Sequence, residues 1–371
     1  MKNALARARR RLVPASVLLT ITHRCQLACS HCYEAEHSAS AQELSFAEWV
    51  QLFDELALLG TLELTFTGGE ALLRPDALAL MAEARRRQFA ITVFTNGGPI
   101  TPEVARRLRE LRVMGVEVSL HAAHAALHDG LVGRQGAFAR AVRAIELLDG
   151  EGVPVLVKSN VLRCNALEVL SLEALFAVRP RVRFLSDVLV HARDDGRSLA
   201  AQRPTGEQVE AYFDTQVARL DEVEPLLARL LTVPDGYLER DACGAGRTFA
   251  SVQPNGDVLP CVHTPGLKLG NLREATFSEL WLSSEAVRRM RAVTVARFAE
   301  CAGCEYRHVC AKCPALSLSE SGELTGHSRQ VCDRTKAFWG AVKRRAGGGG
   351  LAPRPEAAEP ARRTFALPVI A

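Results

Sequence analysis

The chain has no apolar run long enough to cross a bilayer. It also has little excess charge: 46 Lys and Arg against 42 Asp and Glu leave a formal +4 over 371 residues. The first absence argues against a helical membrane protein. The second argues against a nucleic-acid partner, which calls for a concentrated basic surface. A secretion signal is missing too. After Lys2, Arg7, Arg9, Arg10 and Arg11, the apolar run from Val13 to Leu19 is broken by Pro14, and no small-residue cleavage site precedes His23 and Arg24. The basic cluster reads as a solvated terminus and the chain as cytoplasmic. No internal repeat is visible. Hydrophobic content of 48% and charged content of 24% are those of an ordinary globular protein, long enough for one large domain and a smaller one.

What stands out is cysteine, with 11 residues. In a reducing compartment clustered cysteines point to metal or redox work rather than disulfides, and an odd count fits poorly with a paired framework.

Short aliphatic runs alternate with helical periods through the first half. Strands are expected at Val17–Thr22, Leu62–Thr67, Ile91–Thr95, Val116–Leu120, Val155–Asn160 and Val182–Leu185. Between them, Phe46, Trp49, Leu52, Phe53 and Leu56 recur at helical spacing. Ser45 with Glu48 forms a capping box, and Thr101-Pro102 is a cap followed by a first-turn proline. Alternating units of this kind predict an α/β fold with a parallel sheet and a ligand site at the strands' carboxyl ends. They are too few to close an eightfold barrel, so a partial (β/α)6 TIM-like barrel is expected over 16–190, after a basic N-terminal extension at 1–15. A helical bridge follows at 191–242, with a second capping box at Thr205 and Gln208. A cysteine-rich domain follows at 243–340 and a flexible Gly/Pro-rich tail at 341–371. Phe365–Ala371 is apolar enough to dock as a strand.

Cys25, Cys29 and Cys32 follow the first strand. Three thiolates on one short loop can hold three irons of a cubane cluster, leaving the fourth open. Zinc, with His31 or His23 as fourth ligand, is the alternative. Gly68-Gly69-Glu70 follows the second strand. Paired glycines admit a ligand to the backbone, and the carboxylate can hold an ammonium group. Thr95-Asn96-Gly97 ends the third strand and Ser119 nearly ends the fourth, which suits a nucleoside at a barrel mouth.

Together these motifs, over roughly Ser16–Leu185, resemble the radical S-adenosylmethionine (SAM) family. The resemblance implies a catalytic [4Fe–4S] cluster on Cys25, Cys29 and Cys32, with S-adenosyl-L-methionine chelating the fourth iron. Gly68, Gly69 and Glu70 would hold its amino group. His31 would stand where the family usually has an aromatic against the adenine, and Asn96 and Ser119 would meet the ribose or methionyl portion. The reaction implied is reductive cleavage to a 5′-deoxyadenosyl radical that abstracts hydrogen from a substrate. Two departures matter. His121-Ala122 replaces the Asp-Gly that many relatives carry after Ser-Leu, and Val132 replaces an arginine before Gly133, with Arg134 one residue beyond. His121, His124 and His128 near the mouth read as loop caps before acid–base groups. Cys164 reads as a buried structural cysteine.

The distal set, Cys243, Cys261, Cys301, Cys304, Cys310, Cys313 and Cys332, resembles the SPASM extension, with one fewer residue than usual between Cys310 and Cys313. Structural zinc is again the alternative. The resemblance implies two auxiliary [4Fe–4S] clusters: an outer one on Cys301, Cys304, Cys310 and Cys332, and an inner one on Cys243, Cys261 and Cys313 that keeps an open iron or takes another ligand. Pro254-Asn255-Gly256-Asp257 is expected to be the hairpin turn that returns Cys261 toward Cys243. Asn271-Leu272 after Gly270, then Trp281, also resembles the family's segment between the cysteine groups.

The implied substrate is a ribosomally synthesised precursor peptide, crosslinked, oxidised or epimerised. The alternatives are a small molecule or cofactor precursor, as in a dehydrogenase, and sulfatase-maturase-like protein oxidation. Residues 1–15 are too few for a leader-recognition domain, so a separate leader-binding protein or strand addition at a sheet edge is expected. A flavodoxin- or ferredoxin-type electron donor is implied as well. Neither nucleic acid nor membrane is expected as a partner.

Overall fold

The computed structural model describes residues 8–38 and 42–347. Six parallel strands lie side by side in chain order: β1 (Ser16–Thr20), β2 (Glu63–Thr67), β3 (Ala90–Thr95), β4 (Gly115–Ser119), β5 (Val155–Asn160) and β6 (Val182–Asp187). Helices α1 (Phe46–Leu59), α2 (Ala77–Arg86), α3 (Pro102–Glu110), α4 (Ala125–Val132), α5 (Ala137–Gly150) and the single turn α6 (Leu172–Leu175) connect them. This is the open, partial barrel expected from the alternation. Among the described residues no helix is long and apolar enough to cross a membrane.

Strand alternation sorts the two sheet faces. Val17, Leu19, Leu64, Phe66, Ile91, Val93, Val116, Val118, Val155 and Val157 are buried in the main core, with Trp49, Leu52, Phe53 and Leu56 of α1. Each large side chain buried there is worth about 1.5–3 kcal/mol. Phe46 departs from the expected stripe, being 37% exposed at the helix start. The alternate positions are more polar. Thr92 bonds Glu63 at 2.9 Å, and Lys158 meets Glu117 at 3.3 Å and lies 4.8 Å over the Phe94 ring.

The sheet continues past β1. β7 (Phe249–Val252) pairs with β1 in parallel, Ser16 opposite Phe249 and Leu19 opposite Val252. β8 (Asp257–Leu259) and β9 (Gly270–Asn271) follow antiparallel. The β7–β8 hairpin turns at Gly256, whose φ of +90 needs a residue without Cβ. The bridge consists of α7 (Gly206–Ala218), capped by Thr205 and Gln208, and α8 (Glu224–Leu231). Then come α9 (Phe277–Ser283), α10 (Glu285–Arg291), α11 (Pro314–Ser321) and α12 (Arg329–Ala346). Trp281 of α9 is fully buried and stacks on Phe277 at 6.0 Å.

Three expectations are corrected here. α12 runs through the boundary expected at 340. Its last turn is held by Arg344 on Asp214 at 2.7 Å and Arg345 on Val217 O at 2.6 Å. Arg9 is not simply solvated, because its Nε meets Asp241 at 2.6 Å. Cys164 is exposed, not buried; its neighbours Leu162 and Asn165 take the buried positions of that turn. The strand considered at Phe365–Ala371 lies outside the described residues.

One arginine unites the strand ends. Arg74, 8% exposed, donates to Ile21 O at 3.0 Å and Leu44 O at 2.9 Å, and pairs with Asp76 at 2.6 Å. Arg74→Met leaves two buried carbonyls and a carboxylate short of their donor. It should lower the unfolding free energy by about 3 kcal/mol, measured as a shift of the urea midpoint of the metal-free protein at unchanged m.

Candidate active site and thiol clusters

The segment carrying Cys25, Cys29 and Cys32 leaves β1 and is pinned by backbone bonds. Cys25 N–H donates to His37 O at 3.2 Å. Ala28 and Ser30 donate to Val132 O at 3.0 Å and Leu131 O at 2.9 Å, at the end of α4. Val132, where many relatives carry arginine, is therefore a backbone partner of the loop. Arg134 reaches back to Gln26 O at 3.3 Å.

Gly68 and Gly69 sit directly beneath this loop. Gly69 N–H donates to Thr22 O at 3.0 Å and Glu70 N–H to Arg24 O at 2.7 Å. A Cβ on Gly68 would overlap Thr22 O. One on Gly69 would stand 2.5 Å from His23 O and 2.9 Å from Cys25 Cβ. The close approach these glycines permit is thus that of the cysteine loop itself. The Glu70 carboxylate, 1% exposed, accepts from Asn96 N–H at 2.7 Å, Thr95 Oγ1 at 2.9 Å and Leu72 N–H at 3.3 Å. Burial pushes its carboxyl up to about 7, against the pull of those donors. Asn96 passes the brace onward: its Oδ1 accepts from Gln26 Nε2 at 2.7 Å and its Nδ2 lies 3.9 Å from Cys25 Sγ. Gln26 was not singled out in the sequence, although its position inside the cysteine spacing is the signal.

Burial, then the neighbouring thiols, pushes Cys29 up to about 12; burial, then Glu34 and Cys25, pushes Cys32 up to about 11; burial raises Cys25 as well. His31 lies between Cys29 and Cys32, 9% exposed, with Nδ1 unpartnered and its ring edge-on to His121 at 4.4 Å. His121 Nδ1 accepts from Asn160 N–H at 3.3 Å and His128 Nδ1 accepts from His121 N–H at 3.1 Å. Burial holds His31 and His128 down to about 4. His124 caps α4 and meets Glu168 at 3.0 Å. Ser119 ends β4, half-buried.

The distal thiols fall into two groups. Cys261, Cys243 and Cys313 lie close enough to raise one another electrostatically, after burial as the main cause. Cys301, Cys304, Cys310 and Cys332 line one small void. Cys332, pushed up to about 11 by burial and then by Cys310 and Cys301, is 3.2 Å from His327 Nε2. Between the first and inner groups stands Tyr33, raised by burial and by the charges of both Cys32 and Cys261. It is edge-on at 4.8 Å to His263, which stacks on His191 at 3.6 Å. No local pattern points to this aromatic wall, because its members come from three distant segments.

The description of the radical SAM superfamily matches residues 19–162, and that of SPASM, an iron–sulfur cluster-binding domain, matches 243–314. A PqqA peptide cyclase of Xanthomonas euvesicatoria pv. vesicatoria is 31% identical over 336 residues, 87% of this chain and 88% of that protein. The chain is a radical SAM enzyme with a C-terminal SPASM domain. An AdoMet-dependent heme synthase of Methanosarcina barkeri is 30% identical over 334 residues, 84% of this chain and 94% of that one. Streptococcus suis SuiB, crystallised with the precursor peptide SuiA, shares the radical SAM/SPASM fold with a TM-score of 0.71 at 15% identity, over 89% of this chain and 79% of that one.

The donor sets fit the clusters that such enzymes bind. They are soft sulfur ligands, grouped, whose thiols are held up by burial and then by one another. Among the described residues no three His, Cys, Asp or Glu side chains converge on a single metal ion.

Gly69→Ala should displace the first cysteine loop. Anaerobically reconstituted protein should lose the iron held by that loop and retain the distal iron, read by iron and sulfide analysis beside a Cys29→Ala control. A pH effect follows from Glu70. Its folded value of about 7 lies above the ordinary 4.5, so the folded state keeps a proton that the unfolded chain sheds. The stability advantage of wild type over Glu70→Gln should therefore fall as pH rises from 4.5 to about 7, by up to about 1.4 kcal/mol per unit, and level off above. Urea titrations at several pH values measure it.

Proposed function

We propose that this radical SAM enzyme modifies a ribosomally made precursor peptide, with Cys25, Cys29 and Cys32 holding the catalytic cluster. The observation that carries the reading is the grouping of thiols along one sheet. A set of three lies at the barrel mouth, a second set of three faces it across Tyr33, and a set of four lies beyond. Cys243, Cys261 and Cys313 hold the inner auxiliary cluster, and Cys301, Cys304, Cys310 and Cys332 the outer one. When bound, the catalytic cluster and S-adenosylmethionine supply an electron and a 5′-deoxyadenosyl radical that takes a hydrogen atom from the substrate.

The chain's own residues position and shield. Gly68 and Gly69 seat the cysteine loop on β2. Gly68, Gly69 and Glu70 hold the cofactor's amino group beside it, and Asn96 and Ser119 meet its ribose or methionyl portion. His31 lies against the adenine. Tyr33, His191 and His263 wall off the space between the thiol sets from water, where a substrate residue is oriented.

A peptide substrate is supported by the PqqA peptide cyclase, similar over most of both chains. The two sheet edges are poor docks for a leader strand. β9 is two residues long, and on β6 the outward Ser186 O already accepts from Tyr212 Oη at 3.2 Å, while Val182 N–H bonds Arg179 O at 3.0 Å. Such edges favour a separate leader-binding protein over strand addition, and electrons come from a flavodoxin- or ferredoxin-type donor. The similarity to a heme synthase favours a second reading, tailoring of a small molecule or cofactor precursor.

The test is anaerobic reconstitution with S-adenosylmethionine, reductant and short peptides encoded beside the gene. It is read as 5′-deoxyadenosine and as peptide mass. Wild type should form 5′-deoxyadenosine and Cys29→Ala none. Loss of two hydrogens from the peptide marks crosslinking or oxidation, and solvent deuterium gained without other change marks epimerisation. Turnover with a porphyrin and no peptide selects the second reading. Absence of 5′-deoxyadenosine under every reducing condition sinks both.

A further inference from the structure

Lys312 lies between Cys310 and Cys313, in the shortened spacing of the distal set, and is only 6% exposed. Its backbone N–H turns back onto Cys310 O at 3.1 Å. Its side chain lines the void shared by Cys301, Cys304, Cys310 and Cys332, with Nζ 5.3 Å from the ring centre of the buried Phe298. Burial raises Cys301, and the charge of Lys312 is the largest influence pulling it back.

The position is anomalous among the lysines. Lys158, Lys268 and Lys343 each meet a carboxylate, at 3.3, 2.6 and 2.5 Å. Lys336, which lines the same void, is exposed. Lys312 alone is buried, and among the described residues no carboxylate pairs with its ammonium and no hydrogen bond engages it. An ammonium on a side chain this deeply set gains from a counter-charge. The void it lines is otherwise made by the four thiols with Tyr306, Thr335 and the exposed Lys336. Once four thiolates hold an iron–sulfur cluster, the assembly carries net negative charge, and the ammonium has its partner.

We propose that Lys312 is the built-in counter-charge of the outer auxiliary cluster and raises its reduction potential. This rests on the reading that Cys301, Cys304, Cys310 and Cys332 hold that cluster. Reduction adds one electron to an already anionic group, and a cation buried against it stabilises the reduced form more than the oxidised one. Lys312 is a positioning charge, not a ligand, since a lysine that ligated iron would first have to lose its proton.

The experiment uses the full chain carrying Cys25→Ala, Cys29→Ala and Cys32→Ala, so that only auxiliary clusters are loaded anaerobically. Iron and sulfide are counted, and midpoints are read by EPR-monitored redox titration. The signal lost in a further Cys332→Ala variant is assigned to the outer cluster. Lys312→Met should leave iron content unchanged and lower the outer midpoint by at least a tenfold change in the reduced-to-oxidised ratio, 59 mV for one electron. Lys312→Arg should restore it, and the inner signal should move less. An outer midpoint equal to wild type in fully loaded Lys312→Met overturns the proposal. If Lys312→Met does not load, Lys312→Gln and Lys312→Arg decide by iron content: loading that follows the charge supports the assignment, and equal loss in both overturns it. Zinc in place of iron in the parent variant, or full iron with no dependence on Cys332, sinks the cluster reading beneath the proposal and the proposal with it. That outcome is visible before any Lys312 variant is made.

Discussion

The organisation of the barrel mouth depends on one steric fact: the loop bearing Cys25 rests on two residues that have no side chain. Gly68 and Gly69 let the carbonyls of Thr22 and Arg24 descend onto the end of β2 to hydrogen-bonding distance, with that of His23 packed against Gly69. From that contact the order propagates laterally. Glu70, next in the chain, is turned inward, where its carboxylate gathers Thr95 and Asn96 from β3; Asn96 in turn locks Gln26 and closes the circuit back to the cysteine loop. A buried carboxylate surrounded by donors is costly to expose and hard to replace. The cysteine loop therefore has no inexpensive alternative position, although it is not a regular element.

The continuous sheet sets how the thiol groups face one another. Because β7 lies parallel to β1 and β8 returns antiparallel, the hairpin carries Cys261 back toward the start of β7, where Cys243 precedes it, and Tyr33 meets this segment at His263, 4.8 Å away. Tyr33, one residue past Cys32, feels both groups. The segment after β6 locks that arrangement: Asp194 N–H bonds Tyr33 O at 2.8 Å, and its side chain accepts from Ala35 N–H at 2.8 Å. Arg334 of α12 pairs with Asp187 at the end of β6 at 3.4 Å, so the helix that carries Cys332 is tied to the strand that closes the barrel. Fold and cofactor spacing are in this sense one property.

Local chemistry was legible in the sequence and long-range pairing was not. All six barrel strands, the capping boxes at Ser45 and Thr205 and the turn at Gly256 follow from neighbouring residues alone, and the structure reproduces each. The pairing of Ser16 with Phe249 follows from no periodicity, because either strand would have read the same beside another partner. Arg9 read as part of a solvated terminus and Arg74 carries no local signal, since the carbonyls and carboxylates they satisfy exist as acceptors only once distant loops have met. Cys164 was misjudged from the general tendency of cysteine to be buried. At a tight turn the positions compete, and Leu162 with the amide of Asn165, bonded to His121 O at 2.7 Å, wins the interior. Lys312 was invisible for the opposite reason, since lysine is ordinarily exposed.

Two histidines at the barrel mouth stand where the family usually has other side chains, and they touch. His31 stands where an aromatic is usual and His121 where many relatives carry Asp, and the two rings touch edge to face at 4.4 Å. A carboxylate at 121 would lie buried against an imidazole and draw a proton onto it. An imidazole there does the reverse: burial, then the proximity of His31 and His128, keeps His121 well below its ordinary value. Its Nδ1 is occupied by Asn160 N–H, so the ring proton sits on Nε2 and the ring is neutral. The ligand proposed for this mouth is a sulfonium cation, which an imidazolium would repel. Exchanging both residues together preserves a flat, polarisable and uncharged surface where the adenine is proposed to lie. Exchanging either one alone would place a fixed charge there or leave a void.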